Sequence, residues 1–552
     1  MSSTTLAAQA NTPAKSPASS IREPTAAATT TTSEKDATAA PEAEVAHAAG
    51  AHAPHPLSQL GQSRKHLLLF IFAVASFVDV CNVSGVGIAG AQIAFDIKLE
   101  VSQIVWIITA YSLTFASFLL FAGRLSDLFP AHLVFEVGFV GLGIMSIVQS
   151  FVTHNKYGFL IVRGLGGIMG ALTIPSGYHL AVHMFPDPVE QPKKLALLGI
   201  AGALGNVLGL VLAGLTMLAS YHWFFRLMGI ICLVFSVITV FVLPATKADY
   251  DPADGPRWKR LDLVGVVLMS GALLCFILGL TQGPIDGWGK ASFIAPFVIS
   301  IFLGVGFFVF EARIHPRSAV LPATVWKIKN MKVASLVTLL PFSFWATSQL
   351  LYATYWQVAF GWRPLHVAAA ALPQGIAALI VGGLVQAVPA IINTPRITIP
   401  VGSVLVMVAE VLMYYSDGGS GMNYWKYCFP AFVLGSVGAI SVFMASGINL
   451  IAFCPPEMGG VAGAWTQVLA QIGGAIALGV QAGLEGTALA DWKHNARSFW
   501  FEFAAFGLLA VVYAIFYTEP TGALEEHQLT RERIAELEEK FAQKEAGSLP
   551  SA

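Results

Sequence analysis

Charge is what this chain has least of. Only 11% of its 552 residues are Asp, Glu, Lys or Arg, against 55% hydrophobic, whereas an ordinary soluble domain carries ~25% charged residues. That deficit excludes a soluble globular protein and points to the lipid bilayer as the solvent. The formal net charge is -1, so there is no basic surplus to hold nucleic acid or a long polyanion. Cysteine is scarce too. Cys81, Cys232, Cys275, Cys428 and Cys454 fall in or beside apolar runs, without the CxxC spacing of a metal site or the paired loop cysteines of a secreted scaffold. No metal or other cofactor is expected. Nor is there a GxSxG elbow, an HExxH pair or a GxxxxGK[ST] phosphate loop, so neither a hydrolase nor an ATP-driven pump is indicated and the chain does not read as an enzyme.

The two ends lack apolar surface. Residues 1–64 are dominated by Ala, Thr, Ser and Pro, which cannot offset the entropy of ordering a chain, so they read as a disordered tail. They lack the basic start and adjoining apolar core of a cleavable leader. Residues 518–552 form a charged tail in which Leu529, Ile534, Leu537 and Phe541 keep helical spacing, as in a short solvated helix. No retrieval or lipidation signal is evident.

What is present between them is a series of long apolar runs. A span needs ~20 mainly apolar residues, because the hydrocarbon layer is ~30 Å thick and a helix rises ~1.5 Å per residue. That ruler gives fourteen runs, at roughly 67–90, 103–122, 133–151, 157–184, 194–218, 222–243, 261–281, 291–311, 333–355, 366–390, 397–415, 427–452, 458–484 and 499–517. With the N-terminus inside, the inner connections and the approach to the first run hold fifteen Lys and Arg, the outer connections seven. Such residues favour the cytoplasmic side, so both termini are expected there. Glycine recurs inside the runs, as in "RGLGGIMGALTIPSG" (163–177) and "GIAGALGNVLGLVLAGL" (199–215), and small residues let helices approach closely in lipid.

Three fragments resemble the major facilitator superfamily. In "GRLSDLFPAH" (123–132) Gly123, Leu125 and Asp127 match the signature Gly-x-Leu-x-Asp-Arg-x-Gly-Arg-Lys between spans two and three, while Leu128, Pro130, Ala131 and His132 replace Arg, Gly, Arg and Lys. "RGLGG" resembles the Arg-x-x-Gln-Gly pattern of the fourth span through Arg163 and Gly167, with Gly166 in place of Gln. "GNVLG" resembles the antiporter signature Gly-Pro-x-x-Gly through Gly205 and Gly209, with Asn206 in place of Pro. With fourteen spans, the chain is most similar to the fungal drug:proton antiporter group, toward the branch of aminotriazole-resistance and borate exporters and low-affinity ammonium facilitators.

The resemblance implies an all-α membrane protein of two six-helix bundles, at 65–243 and 333–517, with spans seven and eight inserted within 244–332. It implies a substrate cavity between the bundles that opens alternately to each side. Gly123, Arg124 and Asp127 would form a conformational gate, Asp127 facing the start of the thirteenth span after "CPPEMGG" (454–460).

Asp79 and Arg163 are the ionisable groups inside spans that stand out, and such groups face a cavity or each other. Three uses stay open: a proton-coupling pair, a permanent structural pair, or a capping contact of Asp79 with Asn82. Asn82, Tyr111, Asn206, Trp345, Gln349, Tyr352, Asn449, Gln467 and Gln471 are cavity candidates, with interhelical hydrogen bonding the alternative. Gly205 and Gly209 are read as helix-packing residues. His179 and His183, at i and i+4, suit packing or a metal or proton relay. Glu311 and Glu410 are read as structural groups near the membrane surfaces, and the Trp and Tyr residues of 221–223, 352–362 and 414–427 as an interfacial belt.

The functional expectation is proton-coupled export of small organic compounds by a monomer, in the plasma membrane rather than the vacuolar membrane. Its partners would be a small-molecule substrate, protons and the bilayer. Passage of a small inorganic solute such as ammonium or borate is the alternative, and a receptor built on the same fold is a third.

Overall fold

A computed structural model describes residues 56–99, 103–152, 155–187, 190–245, 261–314, 319, 321, 323–387, 394–452, 459–485 and 491–519. The expectations placed on residues 1–55, on 454–458 and on the C-terminal segment beyond 519 lie outside them.

All regular structure among the described residues is helical, and fourteen helices are long and apolar enough to cross a bilayer. In the first half they are α1 (Gln62–Asp96), α2 (Val105–Leu128), α3 (Ala131–Gln149), α4 (Lys156–Met184), α5 (Gln191–Thr216) and α6 (Tyr221–Val242). The pair α7 (Leu263–Asp286) and α8 (Ala291–Glu311) follows. The second half holds α9, in two pieces (Met331–Thr338 and Pro341–Val358), then α10 (Pro364–Ala387), α11 (Pro395–Tyr414), α12 (Phe429–Ala452), α13 (Gly459–Leu484) and α14 (Ser498–Phe516).

Local chemistry sets several of these boundaries. The Asn155 side chain accepts the backbone N–H of Tyr157 at 3.0 Å and opens α4, and the Ser220 side chain accepts that of His222 to open α6; each satisfies a donor that a helix start leaves orphaned. Pro341 brings no N–H to α9, and the helix breaks just before it. The break is covered: a Cβ at Gly473 of α13 would run into the Leu339 carbonyl, so only a glycine lets α13 lie against the exposed backbone. Broken helices persist at membrane depth where protein buries them in this way.

α1 packs most extensively on α5, α2 on α4, and α3 on α4 and α6, while α11 packs on α12 and α14. The two halves meet along α5 with α10, α2 with α13, and α1 with α9. α7 lies on both α2 and α13, bridging the halves. Its Ser270 donates to the Ser117 carbonyl of α2 at 2.6 Å. α8 packs on α7 and is the least buried helix, with Phe302 73% exposed, as a lipid-facing surface should be.

Three expectations are corrected. Order begins before residue 65: Pro56–Gln59 forms a helical turn, Leu57 is fully buried and Lys65 Nζ donates to the Ser58 carbonyl at 2.8 Å. Gly123, Arg124 and Asp127 lie in the last turns of α2 and not in a loop, because nothing before Pro130 breaks the helix. The aromatic residues of 352–362 are no surface belt. Tyr352 and Trp356 are 2% and 0% exposed, packed against each other, Phe432 and Trp492 at ring separations of 4.9–6.2 Å, whereas Trp223, Tyr415 and Trp425 do face outward.

Candidate functional site

Asp79, Tyr111 and Arg163 come together in the first half, on α1, α2 and α4, each at most 6% exposed. The Tyr111 hydroxyl donates to Asp79 Oδ1. Arg163 lies over the Tyr111 ring, 4.8 Å from its centroid, and donates to the carbonyls of Ile107 and Asn82 at 3.0 Å each. Asp79 and Arg163 are therefore not a direct ion pair, as the sequence reading had them, but are linked through the tyrosine. Asn82 does not cap Asp79 either: its side chain donates to the Val78 carbonyl of its own helix at 3.0 Å.

Glycines make this close packing possible. A Cβ at Gly170 would stand 2.7 Å from Asp79 Oδ1 and would collide with the Tyr111 hydroxyl. At Gly166, where the related pattern carries Gln, a Cβ would lie 3.6 Å from the Tyr111 ring; the ring fills the space a longer side chain would need. Gly205 and Gly209 do the same for α1 from the other side. A Cβ at Gly205 would meet the Phe77 carbonyl, and one at Gly209 would sit 3.0 Å from Cys81 Cα. The Gly205 carbonyl accepts from Cys81 Sγ at 3.2 Å.

One to two turns further along α1, a narrow cleft with room for about one water molecule lies between the halves. Its walls include Ser84 of α1, Gln349, Tyr352 and Trp356 of α9, Gln374 of α10 and Phe432 of α12. Gln349 donates to Asn206 of α5 at 3.3 Å, across the seam. Gln357 of α9 donates to the Ile88 carbonyl of α1 at 3.1 Å. Nearby, α5 and α10 touch: a Cβ at Gly214 would be 3.0 Å from Ala368 Cβ. These ties lie at or beyond the middle of the helices, on the side predicted to be extracellular.

Of the cavity candidates, Gln349 and Tyr352 line the cleft and Asn206 braces Gln349. Tyr111 belongs to the Asp79 cluster. Trp345 donates to Ser436 Oγ at 3.2 Å outside the lining. Gln467 and Gln471 are half-buried on α13, also outside it, and the side chain of Asn449 is outside the described residues. Gln374 and Gln357 were missed by sequence reasoning; the signal was a single amide in an otherwise apolar run.

At the predicted cytoplasmic end of α2, Asp127 meets His179 of α4, Nδ1 to Oδ1 3.3 Å, and the His179 ring lies tilted by 32° against that of His183, centroids 4.6 Å apart. This partner lies in the same half; the one expected, at the start of the thirteenth span, falls largely outside the described residues. Among the described residues no three His, Cys, Asp or Glu side chains gather as a metal site.

Glu410 lies one turn from the end of α11. It is 1% exposed and interacts with Glu502 of α14, itself 1% exposed. Ser343 donates to Glu502 Oε2 at 3.4 Å. Glu311, at the end of α8, is 3% exposed and accepts the Leu321 N–H at 3.3 Å.

Comparison with known proteins gives the architecture a lineage. A transporter of Schizosaccharomyces pombe, described as an uncharacterised MFS-type protein, is 26% identical over 84% of this chain and 89% of its own. A puromycin resistance protein of Streptomyces alboniger is 26% identical over 77% and 83%, and a low affinity ammonium transporter of Saccharomyces cerevisiae 27% over 69% and 74%. The crystal structure of a mutant peptide transporter POT shares the fold at a TM-score of 0.58 and 15% identity, covering 81% of this chain and 93% of that one. Residues 72–478 match the Major Facilitator Superfamily, and with fourteen apolar helices arranged as above the chain belongs to that family of multi-pass membrane transporters.

Proposed function

We propose that the protein exports small organic compounds in exchange for protons by alternating access. The single observation that carries this reading is the Asp79–Tyr111–Arg163 cluster, placed on the same helix as the cleft. Asp79 and Ser84 are five residues apart on α1, or ~7.5 Å of helix rise.

An ionised carboxylate in a low-dielectric interior depends on its donors. The Tyr111 hydroxyl supplies one, and the guanidinium over the ring orients that tyrosine. A proton arriving on Asp79 cancels its charge and weakens the tie between α1 and α2. The wall of the cleft that α1 contributes is then free to move, and the outer ties at Asn206–Gln349 and Gln357–Ile88 exchange for contacts on the opposite side. Gly123, Arg124 and Asp127, at the predicted cytoplasmic end of α2, serve this reading as the gate, and the contact of Asp127 with His179 of α4 holds that end of α2 within its own half. The resistance protein named above supports export; the ammonium transporter supports the second reading, passage of a small inorganic solute.

The test is flux in proteoliposomes with and without an imposed pH gradient, using a weak-base drug, borate and methylammonium. Gradient-driven movement of the drug that disappears in Asp79→Asn, with protein still folded in the membrane, is the expected result. Gradient-independent movement of methylammonium or borate alone selects the second reading, and coupling unchanged in Asp79→Asn removes the carboxylate from the mechanism.

A further inference from the structure

Two carboxyl groups adjoin each other inside the second half. Glu410 of α11 and Glu502 of α14 are each 1% exposed and lie about one turn from the predicted extracellular ends of their helices, within hydrogen-bonding reach of each other. Donors are nearly absent around them among the described residues. Both Glu410 oxygens and Glu502 Oε1 are buried without one, and neither carboxyl forms an ion pair there.

The neighbouring helices do not make up the deficit. Ser343 of α9 reaches Glu502 Oε2 at 3.4 Å, but its nearer acceptor is the Leu340 carbonyl at 2.6 Å. Thr347, beside Glu502, donates to the Ser343 carbonyl at 2.9 Å. The Tyr352 hydroxyl of α9 is paired with Ser416 Oγ at 2.9 Å, with Cys428 Sγ at 3.5 Å. α12 and α13, which also pack on these helices, carry no ionisable residue, and Lys332, Asp417 and Lys426 on the other adjoining segments are exposed. Two touching carboxylates without a counter-charge repel strongly in such an interior, whereas an acid and a carboxylate attract, because the O–H of one is the donor the other lacks.

We propose that Glu410 and Glu502 form a second proton-binding site, in which Glu410 carries the hydrogen and donates it to Glu502. The donors decide which carboxyl is which: Glu502 has the Ser343 hydroxyl to support a negative charge, and neither Glu410 oxygen has a donor. The shared hydrogen ties α11 to α14. It does so one turn from Met413, whose carbonyl lies 3.5 Å from the Tyr352 hydroxyl of the cleft wall. The site is in the opposite half from Asp79 and does not depend on the export reading.

The test counts protons. The purified full chain in detergent, weakly buffered at neutral pH, is unfolded with sodium dodecyl sulfate while an indicator dye reads the protons released, since a hydrogen held by the folded pair is lost when the chain unfolds. Wild type should release about one proton per chain more than Glu410→Gln, whose amide N–H takes the place of the donated O–H. Glu502→Gln should release as many as wild type. Glu410→Met serves if the glutamine variant does not fold. Equal release by wild type and Glu410→Gln, or a release lowered as much by Glu502→Gln, overturns the inference. So does an unfolding temperature that Na⁺ or Ca²⁺ raises in wild type and not in Glu410→Gln, which would place a metal ion between the carboxyls. None of these outcomes touches the coupling reading, which falls separately if Asp79→Asn still couples flux to the gradient.

Discussion

The Tyr111 hydroxyl reaches Asp79 Oδ1 from a ring whose face Arg163 covers at 4.8 Å, so the acid and the base of this membrane interior communicate through a phenol. Removing that hydroxyl tests the link directly. Tyr111→Phe keeps the ring that Arg163 stacks on and leaves Asp79 without its donor. Loss of a partner to a buried charged group costs ~1–3 kcal/mol or more. Proton-driven flux in proteoliposomes should fall about tenfold or further, with protein yield little changed. Flux at the wild-type rate in Tyr111→Phe would mean that the hydroxyl plays no part in coupling.

Gly170 provides a steric test of the same cluster. The Cβ of Gly170→Ala would fall 2.7 Å from Asp79 Oδ1, and overpacking of that kind costs ~1–3 kcal/mol. Thermal stability in detergent should drop and transport should resemble that of Tyr111→Phe. Gly199→Ala is the control, since nothing lies within 4 Å of a Cβ there and alanine is the better helix former. It should be neutral or slightly stabilising.

The helices were legible in the sequence because the bilayer fixes their length: fourteen apolar runs correspond to fourteen helices. Their contacts were less so. Asp79 and Arg163 stood out as charges in apolar runs, but a helical pattern cannot say that a tyrosine on a third helix comes between them. The glycines at 166 and 170 carried that information, as space left for something large, without naming the occupant. Gln374 was hidden differently. One amide in an apolar stretch looks like a packing residue until the cleft it lines is seen. Asp127 has in His179 a partner that its resemblance to the related signature did not suggest, because that signature carries basic residues this chain has replaced.

The seam between the halves invites a covalent test of alternation. A Cβ at Gly214 would stand 3.0 Å from Ala368 Cβ, somewhat closer than the ~3.5–4.5 Å of a disulfide, a gap that a small helix shift makes up. The pair Gly214→Cys and Ala368→Cys should cross-link under mild oxidation, halt transport, and recover it on reduction. Each single variant should remain active in both conditions. Full transport by the cross-linked protein would show that this contact persists through the cycle, and that the halves do not part along α5 and α10.

Glu485 sets a pH dependence outside the spans. It follows the last residue of α13, and burial pushes its carboxyl from 4.5 up to about 7, partly opposed by the hydrogen bond from Gln481 Nε2 at 2.9 Å. The folded protein therefore binds this proton more tightly than the unfolded chain does. Between about pH 4.5 and 7 the native state carries more of the proton, so stability falls as pH rises through that window, by on the order of 3 kcal/mol at most. Above it the full penalty persists. Glu485→Gln cannot ionise and keeps a hydrogen-bonding side chain, so its unfolding temperature should match wild type near pH 4 and exceed it at pH 8. Parallel pH profiles for the two proteins would show instead that water reaches the carboxyl and that ionisation there costs the fold nothing.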